Sequence, residues 1–137
     1  MENHKIFKAE LISLHDMLEW VRERLKKTTF SDAEIRRIEI ALEEGLVNII
    51  SYAYQEKGGM IEIVFHHERG NYVELTIIDS GLPFNPLKHK REVNSSVPIE
   101  DLKEGGLGIV FMQKIMDVVK YKWHRGKNTL TLRKNLS

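Results

Sequence analysis

The sequence predicts an α+β domain, a two-layer sandwich with helices on one face of a mixed, mostly antiparallel sheet. Three observations predict it. Two stretches of helical period lead the chain, two stretches of strict alternation follow them, and a further helical stretch and a hairpin close it. The resulting order is (β)ααββ, a long connection, then αββ. A chain of 137 residues suffices for one domain, taken as residues 1–137, and is too short for two ordinary ones.

Residues 5–10 form a weak strand candidate whose apolar content is Ile6 and Phe7. From Leu11 the series Leu11, Leu14, Leu18, Val21, Leu25 is amphipathic at the helical period and ends in Lys26-Lys27, cations suited to a helix C-terminus. Ser31-Asp32-Ala33-Glu34 reads as a capping box that opens a second helix. That helix is expected to run to about Gln55 and to stop near Gly58-Gly59.

Its apolar stripe is Ile35, Ile38, Leu42, Ile49 and Ala53. At about 100° per residue, Glu44 and Asn48 lie roughly 40° apart and away from the stripe's centre. Ile40, Ala41 and Val47 flank that pair. The arrangement predicts a helix buried on two sides, with a polar ligand against the second.

Residues 60–65 alternate, with Ile61, Ile63 and Phe65 on one face, and Gly70-Asn71 turns the chain into a partner strand over 72–78. Val73, Leu75 and Ile77 share a face there, and Asp79 continues it. An acid in core register costs several kcal/mol if unpaired, so Asp79 is expected to have a dedicated donor.

Residues 85–104 are poorly periodic and carry Pro86, Pro98 and the basic run Lys88-His89-Lys90-Arg91. Long connections of this kind are often lids over a site. A helix with Ile109, Met112, Ile115, Met116 and Val119 follows Gly105-Gly106-Leu107-Gly108. Residues 120–124 and 129–133 pair as a hairpin around Arg125-Gly126-Lys127-Asn128.

Composition narrows the function classes. A net charge of +1 lacks the basic excess of a dedicated nucleic-acid binder. The absence of cysteine excludes disulfides, thiolate metal sites and cysteine nucleophiles. No run approaches membrane-spanning length and the first residues lack a signal-peptide core, so a cytoplasmic setting is expected.

Three motifs carry chemistry. Glu44 and Asn48 form an E-x-x-x-N pair: an amide oxygen can complete the shell of Mg²⁺, and a carboxylate one turn away can accept a proton from an attacking hydroxyl. A solvated helix face presents the same two residues. Asp79-x-Gly81 ends a strand with a buried acceptor and a glycine that permits close backbone approach. Asp-Ser-Gly also opens ordinary turns. Gly105-Gly106-Leu107-Gly108 at a helix start offers free backbone N–H groups for phosphate, or simple loop flexibility.

Their order and separation are more specific than any one of them, and together they resemble the nucleotide-binding boxes of the GHKL ATPase superfamily. Asn48, with Glu44 before it, matches the asparagine box. Asp79-Ser80-Gly81-Leu82-Pro83-Phe84 matches the first glycine box, and Gly106-Leu107-Gly108 the second. Thr129, just beyond the Gly126 turn, matches the threonine that supports the adenine-site aspartate. Within the superfamily the chain looks like the stand-alone anti-sigma-factor serine/threonine kinases.

The resemblance implies the Bergerat ATP-binding fold, Mg²⁺ and ATP as cofactors, and phosphorylation of a serine on a small anti-sigma-factor antagonist. It implies Glu44 as general base, Asn48 as Mg²⁺ ligand and Asp79 as adenine acceptor. Gly81, Gly106, Leu107 and Gly108 would give backbone access to base and phosphates, with Lys88, Lys90 and Arg91 as lid cations. Partners implied are the antagonist and a sigma factor, with association as a homodimer and no direct contact with nucleic acid or membrane. The alternative is a nucleotide-dependent module that sequesters a partner without phosphoryl transfer.

His15 reads as an ordinary helix residue, and Trp20 and Trp123 as packing residues.

Overall fold

A computed structural model describes residues 2–53, 59–83, 85, 87 and 107–136. The expected element order is met. Strand β1 (Glu2–Lys8) is followed by a 3-10 turn (Leu11–Ser13), helices α1 (Leu14–Leu25) and α2 (Asp32–Asn48), and a π-helical turn (Ile49–Ala53). Strands β2 (Met60–Glu68) and β3 (Tyr72–Asp79), helix α3 (Leu107–Ile115) and strands β4 (Val118–His124) and β5 (Lys127–Asn135) complete it. The sheet order is β1-β2-β3-β5-β4. Among the described residues all four pairings are antiparallel, where a mixed, mostly antiparallel sheet was expected.

The alternation read from the sequence decides which face is covered. Ile61, Ile63 and Phe65 of β2, and Val73, Leu75, Ile77 and Asp79 of β3, are all buried. Leu130 and Leu132 of β5 continue that layer, and Met17, Val21, Leu25, Leu42, Leu46, Ile109 and Met112 of the three helices close over it. The intervening residues Val64, Thr76 and Thr131 form one row of the opposite, partly exposed face.

The second helix opens as expected. Ser31 Oγ accepts from the Glu34 backbone N–H, and the Glu34 carboxylate accepts from the Ser31 N–H. Two orphan donors of the first turn are thereby satisfied. Arg22 ties α1 to α2 in a two-pronged ion pair, with Nε to Glu39 Oε1 at 2.5 Å and the terminal nitrogen to Oε2 at 2.7 Å. Trp20 packs edge-on to Phe7, with ring centroids 6.3 Å apart, and the Arg24 guanidinium lies 3.8 Å over its ring.

Several expectations are corrected. β1 begins earlier than residue 5 because pairing with β2, rather than its own sparse apolar pattern, sets its limits. Leu11 is 61% exposed, since the three-residue repeat of the 3-10 turn takes it off the α1 stripe. α2 leaves α-helical spacing after Asn48, and Gln55 falls outside the described residues. Val119 belongs to β4, not to the preceding helix.

The β4–β5 turn is also tighter than expected. Arg125 (φ 51°) and Gly126 (φ 76°) both adopt left-handed geometry, the two-residue turn that matches the strands' own twist. Lys127 and Asn128 therefore join the ladder. Trp123, expected to pack, is 43% exposed at the end of edge strand β4.

α2 approaches the sheet closely at Gly45. A Cβ there would lie 3.0 Å from Met112 Cε, 3.3 Å from Leu130 Cδ2 and 4.0 Å from Ile77 Cδ1. The Met112 methyl is the flexible end of a side chain and can give way to a small group. Gly45→Ala should therefore be close to neutral, its helix-propensity gain offset by that shift. Gly45→Val should destabilise by about 1–3 kcal/mol through overpacking against Leu130 and Ile77. Urea-unfolding midpoints check this; a valine variant as stable as the native chain would contradict it.

Candidate functional site

The topology brings the first two motifs and the start of α3 to one end of the sheet. β3 ends at Asp79, which pairs with Ile61 at the start of β2, the strand that follows α2 and its π-helical turn. The C-terminal end of α2, with Glu44 and Asn48, therefore lies towards Asp79. α3 precedes β4, and β4 starts opposite Arg133 and finishes beside the Asp79 end. The first residues of α3, Leu107 and Gly108, accordingly lie at that end too. Gly45 links the three, since its neighbours Ile77, Leu130 and Met112 belong to β3, β5 and α3.

On α2, Glu44 and Asn48 are both partly buried. At about 100° per residue Asn48 sits roughly 20° from Ala41, at the margin of the buried arc. Ala41 is fully buried whereas Ile40, on the other flank, is 49% exposed. The pair thus borders the core on the Ala41–Gly45 side only, not between two apolar walls as expected.

Asp79 is 2% exposed. Its Oδ1 accepts from the Gly81 backbone N–H at 2.9 Å and from Asn128 Nδ2 at 2.8 Å. Asp79 thus closes the Asp-Ser-Gly turn and is at the same time buried on the sheet. Oδ2 is buried and meets no hydrogen-bond partner among the described residues. Burial pushes the Asp79 carboxyl above the usual carboxylate range, while the Asn128 amide and the Gly81 N–H pull it back down.

The expected donor to Asp79 is therefore present, but it is Asn128 and not Thr129. Asn128 pairs directly with Asp79 across β3 and β5. Thr129 pairs with Ile78 and shares the outer face with Thr131, because successive strand residues point to opposite faces. Asn128 is 3% exposed; its Nδ2 also donates to Leu82 O at 2.8 Å, and Tyr121 Oη donates to its Oδ1. Both residues escaped the sequence reading. The signal that finds them is the register, available once the Arg125-Gly126 turn is recognised as two residues.

Gly106 and the lid cations Lys88, Lys90 and Arg91 lie outside the described residues. Among the described residues no helix is long and apolar enough to cross a membrane.

A buried carboxylate oxygen with no partner among the described residues can accept from an N–H or O–H donor, and the exocyclic amine of adenine is such a donor. The residues at this end thus fit an adenine nucleotide.

Known proteins share the family and the fold. The family described as histidine kinase-like ATPase domain matches residues 7–134. A protein named serine-protein kinase RsbW from Bacillus thuringiensis is 34% identical over 104 residues, covering 74% of this chain and 64% of the relative. The protein of the same name from Halalkalibacterium halodurans is 34% identical over 96 residues, covering 68% of this chain and 58% of the relative. The chain thus spans about three-fifths of the length of these curated relatives.

Among solved structures, the RsbU and RsbW domains of a Mycobacterium tuberculosis protein superpose with a TM-score of 0.68 at 17% identity, covering 98% of this chain and 32% of that one. A mycobacterial sensor histidine kinase, MprB, superposes with a TM-score of 0.55 at 13% identity, covering 96% and 97%. The fold is shared with both, and with a family match over most of its length this chain belongs to the histidine kinase-like ATPase domain family.

Proposed function

We propose that this chain binds ATP with Mg²⁺ and transfers the γ-phosphoryl group to a serine of a small anti-sigma-factor antagonist, as a cytoplasmic partner-switching regulator. The observation that carries the reading is Asp79: a buried carboxylate with one oxygen committed to the protein and the other without a partner among the described residues. It stands at the end of the sheet towards which Glu44, Asn48 and the start of α3 are directed. The names of the similar proteins, serine-protein kinases, support the same chemistry.

In this reading Asp79 Oδ2 accepts from the adenine amine, and Gly81 allows the base to approach the backbone. Leu107 and Gly108, at the first turn of α3 and preceded by Gly106, present N–H groups to the phosphates. The Asn48 amide oxygen would hold Mg²⁺, which supplies charge neutralisation on the phosphates. Glu44 takes the proton of the attacking serine hydroxyl as its oxygen bonds to the γ-phosphorus and the bond to the β–γ bridging oxygen breaks, releasing ADP. Partners are the antagonist, a sigma factor and a second copy of the chain.

Glu44→Ala should bind ATP within a few-fold of the native chain and lose transfer by about 10²–10⁴-fold, the usual contribution of a general base. Transfer of labelled phosphate to a co-purified antagonist measures it; undiminished transfer would remove Glu44 from the role.

Asp79→Asn should weaken ATP binding by roughly 10–100-fold, the worth of a hydrogen bond to a charged group. Its effect on stability runs the other way. The folded-state pKa of Asp79 is raised, so its contribution to stability is fully present below the unfolded value of about 3.9 and is lost as pH rises through the folded value. The asparagine variant lacks that loss, so without nucleotide it should melt at the same temperature as the native chain or higher at pH 7. Calorimetry from pH 4 to 7 alongside ATP titration tests both; a destabilised variant with native affinity would refute the assignment.

A further inference from the structure

The proposed adenine acceptor, Asp79, is held by a buried amide. Asn128 Nδ2 points at two acceptors, Asp79 Oδ1 and Leu82 O, each at 2.8 Å, while its Oδ1 faces the Tyr121 hydroxyl. Turning the amide over would set its oxygen against both acceptors, while the hydroxyl, which accepts as well as donates, would meet its protons without conflict. Asn128 is buried, so its oxygen needs a donor. Tyr121 provides one from edge strand β4: it pairs with Leu130, two residues beyond Asn128, and the two side chains meet as diagonal neighbours on the covered face.

We propose that Tyr121 is a positioning residue for nucleobase choice: by donating to Asn128 Oδ1 it fixes the Asn128 amide, which with the Gly81 N–H holds Asp79 Oδ1 and leaves Oδ2 as the acceptor for the base. The proposal rests on the nucleotide reading above. A carboxylate held at one oxygen cannot swing its other oxygen away from the site. A base with an N–H donor at that point is accepted, and one with a carbonyl there faces two opposed acceptors. Asn128 also draws the Leu82 carbonyl to the same amide, so strand end and turn are held by one side chain that is itself held from the sheet edge.

The test compares binding of ATP with that of inosine triphosphate, which carries an oxo group in place of the exocyclic amine. The native chain should prefer ATP by at least about tenfold, because buried polar groups left unpaired reject the wrong analogue. Tyr121→Phe keeps the ring and removes only the hydroxyl, and it should lower that preference by about fivefold, the worth of one neutral hydrogen bond. Asn128→Leu should lower it at least as far, and adding Tyr121→Phe to Asn128→Leu should change nothing more, since the tyrosine acts through the asparagine.

A tyrosine that only packs would shift melting temperature and leave the ratio untouched, and a native ratio in Tyr121→Phe overturns the proposal. Should that variant not fold, a native ratio in Asn128→Leu overturns it instead. A native chain that binds both nucleotides equally refutes the Asp79–adenine reading on which the proposal stands, and one that binds neither refutes nucleotide binding itself.

Discussion

A carboxylate sits on the covered face of this sheet, and the rest of the site accommodates that constraint. Asp79 occupies the row Phe7, Ile61, Asp79, Asn128 and Trp123, whose positions nearer the sheet centre would otherwise be apolar. Burying an ionised group without partners costs several kcal/mol, and breaking such a network costs a comparable amount. The Gly81 N–H and the Asn128 amide offset part of that cost, and burial still dominates the Asp79 titration. One oxygen of this costly side chain, Oδ2, is buried and has no hydrogen-bond partner among the described residues.

α2 connects this polar end to the dry interior. Its buried arc, including Ile38, Leu42, Leu46 and Gly45, sets the helix against the sheet and α3. Glu44 and Asn48 lie at the border of the same arc, so packing that stabilises the fold also fixes where the carboxylate and the amide can reach. Gly45, between them, permits the close approach to Met112 of α3. On the far side, Glu39 and Arg22 join α2 to α1.

Much of this was legible in the sequence, for identifiable reasons. Strands covered on one face alternate, so the faces of β2 and β3 and the anomalous acid at their end could be read directly. The capping box at Ser31 is local chemistry and survives unchanged. What could not be read depends on pairing across long separations. Asn128 meets Asp79 from 49 residues away, and only because β5, not β4, is placed beside β3. A one-residue difference in register exchanges the two faces, so it is Asn128, and not Thr129, that meets Asp79 on the covered face. Burial of Glu39 against Arg22 is likewise a helix–helix contact with no local signature.

A crystal structure with Mg²⁺ and a non-hydrolysable ATP analogue tests the central claim most directly. The account predicts the adenine amine within hydrogen-bond distance of Asp79 Oδ2 and the Asn48 amide oxygen about 2.0–2.1 Å from the metal. The phosphates should lie over the start of α3. A nucleotide bound elsewhere, with Asp79 Oδ2 directed at the protein or at water alone, would contradict it.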